Sequence, residues 1–117
     1  MVSIRFTETK TKGKCPTLTL TLEGHAGQAD IGHDIVCSSV SILTYTVAQI
    51  VKNIHDKGGL KKKPILIIEE GKAKIECVPK ESSYGTAAQA FLFAQTGYHL
   101  LAHNYPQFVD LKMFGEG

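Results

Sequence analysis

Six apolar residues, Val36, Val40, Leu43, Val47, Ile50 and Ile54, recur at steps of four, three, four, three and four. Such steps put them on one side of a helix with about 3.6 residues per turn. A helix with one apolar stripe draws little stability from itself, so the rest of the chain must supply a surface that covers it. On its N-terminal side the period changes to two. Val2, Ile4 and Phe6 alternate with polar residues, and Leu18, Leu20 and Leu22 alternate with Thr17, Thr19, Thr21 and Glu23. Both segments read as half-buried strands, joined through the turn TKGKCP at residues 11–16. The helix is predicted to stop before Gly58 and Gly59, which can supply a left-handed turn.

Past the charged connector LKKKP, residues 65–69 and 73–78 flank Glu70 and Gly71 as a second hairpin. Residues 81–85 read as a loop. Residues 86–104 read as a second helix, with Ala87, Phe91, Ala94, Tyr98 and Leu101 on one side and Pro106 closing it off. Val109, Leu111 and Met113 suggest a short last strand. The order β-β-α-β-β-α-β predicts an α+β fold over residues 1–117: one domain, a mostly antiparallel sheet, and two helices packed on one face. A chain of 117 residues has room for one core and not for two.

Composition narrows the function classes. A formal charge of +2 does not by itself call for a nucleic-acid partner. The start, MVSIRFTETK, has no apolar core of a secretory signal, and no uninterrupted apolar run approaches the ~20 residues that cross a bilayer. Cys15, Cys37 and Cys77 are an odd set without paired spacing. A reducing, cytoplasmic setting is therefore expected rather than a disulfide framework.

The chemistry concentrates where the strand pattern gives way to the helix. Gly24, Gly27 and Gly32 interrupt residues 24–33, which read as a mobile loop. Asp34 can cap the helix by accepting from the unpaired N–H groups of its first turn. Cys37 then falls at the third helical position, where the helix end favours thiolate and its N–H groups could cradle an oxyanion. His25, at the end of the second strand, could serve that thiol as general base and then protonate a leaving amine. Gly24 leaves room for an extended peptide, and Ser38, Ser39 and Ser41 keep the helix mouth uncrowded. A separation of twelve residues between His25 and Cys37 also fits a packed thiol and a surface histidine.

Other residues invite plainer readings. Cys77 alternates with Ala73 and Ile75 and reads as buried packing; Cys15, beside Pro16 in a turn, reads as an incidental thiol. His55 suits the carbonyls of a helix C-terminus, and His33 reads as solvent-facing. His99 and His103 have metal-ligand spacing, but no paired zinc pattern and no adjacent glutamate accompany them, so no metal and no cofactor is expected. KGGLKKK, residues 57–63, can attract phosphate and keeps open a ribosome- or RNA-associated binding module without catalysis. It lacks the interleaved aromatics that stack on bases. No direct nucleic-acid binding is expected.

The residues GHA at 24–26 and GHDIVCSSVSIL at 32–43 carry a resemblance. They look like the signature of the ribosomal-processing cysteine protease family, Gly-His-Ala followed by Gly-x-Asp-Ile-Val-Cys, two small residues and Val-Ser. The closing YPQFVDLKM and the element order extend the likeness over essentially the whole chain. The resemblance implies a cytoplasmic endopeptidase that removes a short N-terminal extension from a large-subunit ribosomal protein, acting as a homodimer. It implies a catalytic pair of His25 and Cys37, with Asp34 and Ser41 at matching motif positions in supporting roles. Gly24 and Ser38 would then lie against the substrate, and an apolar groove would run beside Cys37. Ser38 and Ser39 depart from the alanines usual there, which leaves fine specificity open.

Overall fold

Alternation assigns one half of each strand to the core, and strand pairing brings those halves into line. The structure is a computed structural model. It describes the backbone of residues 1–10, 12–13, 15–24 and 31–116, and within these all side chains except those of 31–34 and 113–116. β1 (Val2–Thr9) and β2 (Thr17–Glu23) form an antiparallel hairpin that sets Ile4 opposite Leu22 and Phe6 opposite Leu20. β4 (Lys72–Cys77) continues the row from β2, with Leu20 beside Ile75, Leu22 beside Ala73 and Leu18 beside Cys77. β3 (Ile65–Glu69) reaches β4 through the two-residue turn Glu70–Gly71, where Gly71 has φ +75°. β5 (Val109–Glu116) runs parallel to β1. The sheet order is β3-β4-β2-β1-β5, antiparallel except at the β1–β5 pair.

The pairings make β3 parallel in sense to β2, and β5 parallel in sense to β4. Strands related in this way need a long crossover. The two helices are those crossovers: α1 (Ile31–Asp56) between β2 and β3, and α2 (Glu81–Asn104) between β4 and β5. Val36, Val40, Val47, Val51 and Ile54 of α1 and Ala87, Phe91, Ala94 and Tyr98 of α2 join the strand residues in one buried cluster. Phe6 meets Phe91 edge-on at 6.2 Å and Tyr98 at 5.7 Å between ring centroids. The helices touch closely at Gly97, where a Cβ would come within 2.7 Å of the Leu43 side chain. The opposite face of the sheet is polar, with Thr19 donating to Glu76 across strands at 2.9 Å.

The α+β architecture and element order agree with the sequence reading, and the element edges differ. Residues 81–85 are the first turn of α2 rather than a loop. Gly85 does not stop the helix, because it keeps an ordinary helical φ and its Cα faces open space. The turn is held from outside: Tyr84 donates its hydroxyl to Glu8 of β1 at 2.5 Å, and Glu81 suits the positive end of the helix. That bond to Glu8 pushes the Tyr84 hydroxyl up to about 12, with burial and the carboxylate's charge adding to it. α1 likewise starts early, at Ile31, so Asp34 is its fourth residue and not its N-cap. A glycine in a first turn costs about 1 kcal/mol against alanine, and packing of the fully buried Val36 outweighs it.

By length and composition the stretch Ile35–Asp56 would also suit a bilayer. Here one of its faces forms the core, and Ser38, Gln49 and Asn53 are exposed on the other.

Candidate active site

One side of α1 carries Cys37, Ser41, Thr44 and Tyr45, at offsets of four, seven and eight from the cysteine. Helical spacing puts these on one stripe. The stripe forms one wall of a groove of about 470 Å³. The apolar floor comes from the strands and the helix: Val2 of β1, Leu22 of β2, Ala73 of β4, Ile68 of β3 and Val40 of α1. The opposite wall is the tip of the β3–β4 hairpin, Glu69, Glu70, Gly71 and Lys72.

Two backbone features hold this end of the sheet together. Gly24 donates its N–H to the carbonyl of Gly71 at 2.9 Å, which ties the end of β2 to the hairpin tip. Gly24 has φ +100°, a conformation that favours glycine, and a Cβ there would run into the carbonyl oxygen of Met1. The space beside Gly24 is therefore filled on that side by the chain's own first residue. Gly24 still lines the groove.

Cys37 is half-buried and its thiol borders the groove. It is the seventh residue of α1, counting from Ile31. Its N–H consequently belongs to the helix ladder, and the unpaired N–H groups of the first turn precede it. Cys37 is therefore not at the third helical position expected for it, and the N–H groups at the start of α1 lie about one turn before it. Ser41 lines the groove one turn further on. Ser38 is exposed and does not border it, because one residue along a helix turns the side chain by about 100°. His25 and the side chain of Asp34 lie outside the described residues.

Thr44 is buried where the groove meets the α1–α2 contact. Its hydroxyl bonds the carbonyl of Val40 at 2.7 Å and the Tyr98 hydroxyl at 2.6 Å. A carbonyl can only accept, so Thr44 donates to Val40 and Tyr98 donates to Thr44. Burial pushes the Tyr98 hydroxyl up to about 12, although its bond to Thr44 acts in the opposite direction. Cys77 is buried in the core, and burial, reinforced by the charge of Glu76, pushes its thiol up to about 12. It is the packed cysteine that its strand pattern implied.

The lysines of residues 57–63 join the C-terminus of α1 to the start of β3, at the end of the sheet opposite the groove. His99 and His103 are exposed on α2. Among the described residues no three His, Cys, Asp or Glu side chains are grouped to hold a metal ion.

A family model described as cysteine protease Prp matches residues 1–110. The chain belongs to the Prp cysteine protease family. Solved structures share its fold. One is SMU.848 from Streptococcus mutans, 24% identical, with 98% of this chain and 95% of that chain covered and a TM-score of 0.68. A second is the essential ribosomal processing protease Prp from S. aureus with a covalently linked product peptide, 22% identical over 97% of this chain and 100% of that one, TM-score 0.68. The same S. aureus protease with a substrate peptide aligns at 16% identity and the same coverage, TM-score 0.67. No curated protein matches the sequence at a significant level.

Cys37, Ser41 and Gly24 are thus brought to one groove. The sequence reading missed Thr44, Tyr45 and the hairpin tip. Tyr45 was within reach, since an offset of eight from Cys37 returns to the same helix face. The hairpin tip had no local signal, because its place beside Cys37 depends on the strand order β3-β4-β2.

Proposed function

We propose that this cysteine protease removes the short N-terminal extension of a large-subunit ribosomal protein. The observation that carries the reading is the Cys37 thiol at the edge of an open, apolar-floored groove in a chain of this family. The S. aureus relative, a ribosomal processing protease seen with a substrate peptide, supports the choice of substrate. In this mechanism His25 takes the proton from Cys37, and the sulfur attacks the scissile carbonyl carbon. The C–N bond breaks as the imidazolium protonates the departing amine, leaving a thioester that water hydrolyses with His25 again as base. Asp34 and Ser41 support the pair, Gly24 bears on the substrate, Ser38 lies outside the groove and is given no part in binding, and no metal or cofactor takes part.

The enzyme works in the cytoplasm as a homodimer, without nucleic acid as a partner. Ile42, Phe93 and Leu100 are exposed on the outer faces of the helices, and residues 35–51 and 82–98 hold no Asp, Glu, Lys or Arg. A charge-free surface suits a two-fold contact, because no like charges oppose each other across the axis.

The test mixes the purified chain with a peptide spanning the N-terminal extension and follows products by mass spectrometry. One defined cut, lost in Cys37→Ala and His25→Ala and blocked by iodoacetamide, is expected. An intact peptide with folded, reduced protein refutes the reading. Light scattering of the same sample tests the dimer.

A further inference from the structure

β3 stands at the edge of the sheet, paired with β4 on one side. Among the described residues no strand pairs with its outer side. The direction of its backbone groups follows from a bond at the hairpin tip. Gly71 offers its carbonyl to Gly24, the residue next to β2, so Gly71 points away from β3. Successive residues of a strand point their N–H and C=O groups to alternate sides. Lys72 therefore points toward β3 and Ala73 toward β2. The register then makes Glu69–Lys72, Ile67–Lys74 and Ile65–Glu76 the hydrogen-bonded pairs of the hairpin. Leu66 and Ile68, the residues between, direct their N–H and C=O groups outward from the sheet.

Edge strands are ordinarily protected by a lysine, a proline, a bulge or a covering segment. Residues 65–68 are Ile-Leu-Ile-Ile, with no charge and no proline, and their pairing with β4 runs without a bulge. Leu66 and Ile67 are 37% and 39% exposed. Leu66 faces the helix side of the sheet, opposite the buried Ile75, so α1 leaves the sheet uncovered beyond this strand.

The same strand leads into the groove. Ile68 and Glu69, its last residues, line it together with Cys37. Since α1 returns the chain from the end of β2 to the start of β3, it runs opposite to β3. Moving back along β3 from Ile68 to Leu66 thus accompanies the stripe from Cys37 through Ser41 to Tyr45. The two spacings match: alternate residues of a strand are about 6.7 Å apart and every fourth residue of a helix about 6 Å.

We propose that the outer edge of β3 is a docking strand for substrate. An extended peptide segment pairs with the outward N–H and C=O groups of Leu66 and Ile68. Its alternate side chains turn toward Tyr45 and Ser41, and the pairing carries the scissile bond to Cys37. The occupant is a peptide because the pairing groups are those of a β-ladder and the edge ends at the nucleophile. This deepens the protease reading and rests on it. Backbone pairing supplies affinity without regard to sequence, and the apolar wall between Leu66 and Tyr45 selects side chains at every second position.

The test uses the full chain carrying Cys37→Ala, which holds the N-terminal-extension peptide without cutting it. Amide hydrogen exchange is measured residue by residue with and without saturating peptide. Peptide is expected to slow exchange at least tenfold at Leu66 and Ile68. Ile65 and Ile67, already bonded to β4, change less. Peptides N-methylated at single residues should lose affinity at alternate positions only. Unchanged exchange at Leu66 and Ile68 overturns the docking strand, and if the wild type still cleaves, the protease reading survives that loss. Protection that rises with protein concentration in the absence of peptide gives the edge to a second copy and overturns it as well. A wild-type protein that cuts nothing refutes the protease reading separately, since the exchange pattern is read without cleavage.

Discussion

The hydroxyl pair between the helices makes a sharp prediction, because Thr44 and Tyr98 do not have equal stakes in their bond. Tyr98 is fully buried and donates to Thr44, which in turn donates to the carbonyl of Val40. Tyr98→Phe removes one donor and leaves Thr44 still bonded to Val40. The cost is that of one net hydrogen bond, about 1 kcal/mol. Thr44→Val keeps the shape but strands the Tyr98 hydroxyl, and a buried unpaired group costs about 1–3 kcal/mol. The Val40 carbonyl loses less, since it retains its helix bond. With Tyr98→Phe already in place, Thr44→Val leaves nothing stranded and should add little. The two substitutions are therefore coupled, by roughly 1 kcal/mol or more. Urea unfolding followed by far-ultraviolet circular dichroism reads all four proteins, with equal m-values as the check on two-state behaviour. A Tyr98→Phe cost larger than that of Thr44→Val, or simple additivity, would refute the donor assignment. Thr44 also lines the groove two turns beyond Cys37, so the experiment asks whether that bond fixes the groove wall against α2.

Two further predictions concern backbone strain and pH. Gly24→Ala must place a Cβ at φ +100° and against Met1, so we expect a loss of about 1–3 kcal/mol in urea unfolding, and an unchanged midpoint would contradict the packing described. Cys77 holds its proton up to about 12 in the folded protein against an ordinary 9.0, so its contribution is intact below about pH 9. From there to about pH 12 the unfolded chain releases that proton and the folded chain does not, so stability falls as pH rises. Cys77→Ala should flatten the fall where it begins, and an identical pH profile for the variant would count against a buried, protonated thiol.

The architecture was legible because two periods were clean. Leu18, Leu20 and Leu22 alternate without exception, and the α1 stripe holds its spacing for five turns, so strand faces and helix face followed from counting. The parallel β1–β5 pair was not legible, since no local residue records which edge a last strand joins. Helix starts were misread for a related reason. Asp34 is a good cap by chemistry and Gly85 a good breaker, yet Val36 in the core and Tyr84 on Glu8 extend both helices past those signals. Tertiary contact outweighed propensity in both places. The groove divides in the same way. Its α1 wall repeats at helical spacing and can be read along the chain, whereas its hairpin wall arrives by sheet order.

The early start of α1 changes what must do the chemistry. A thiol at a helix end could draw on the end's partial charge and on unpaired N–H groups, but both effects fade within the first turn. Cys37 lies beyond that turn, with its own N–H in the ladder. In the proposed mechanism the proton transfer therefore rests on the imidazole of His25, and α1 contributes position rather than field. Position is what the surrounding bonds supply. The Thr44–Tyr98 bond and the Leu43–Gly97 contact fix α1 against α2, while the Gly24–Gly71 bond fixes the opposite wall to β2. Donors for an oxyanion must then come from groups that face the groove. Among the described side chains of α1 these are the hydroxyls of Ser41 and Tyr45, because that of Thr44 is committed to Val40. Ser41 is one turn from Cys37 and Tyr45 two, so under the proposed mechanism Ser41→Ala is expected to slow cleavage more than Tyr45→Phe, and equal rates in a peptide-cleavage assay would refute Ser41 as the donor.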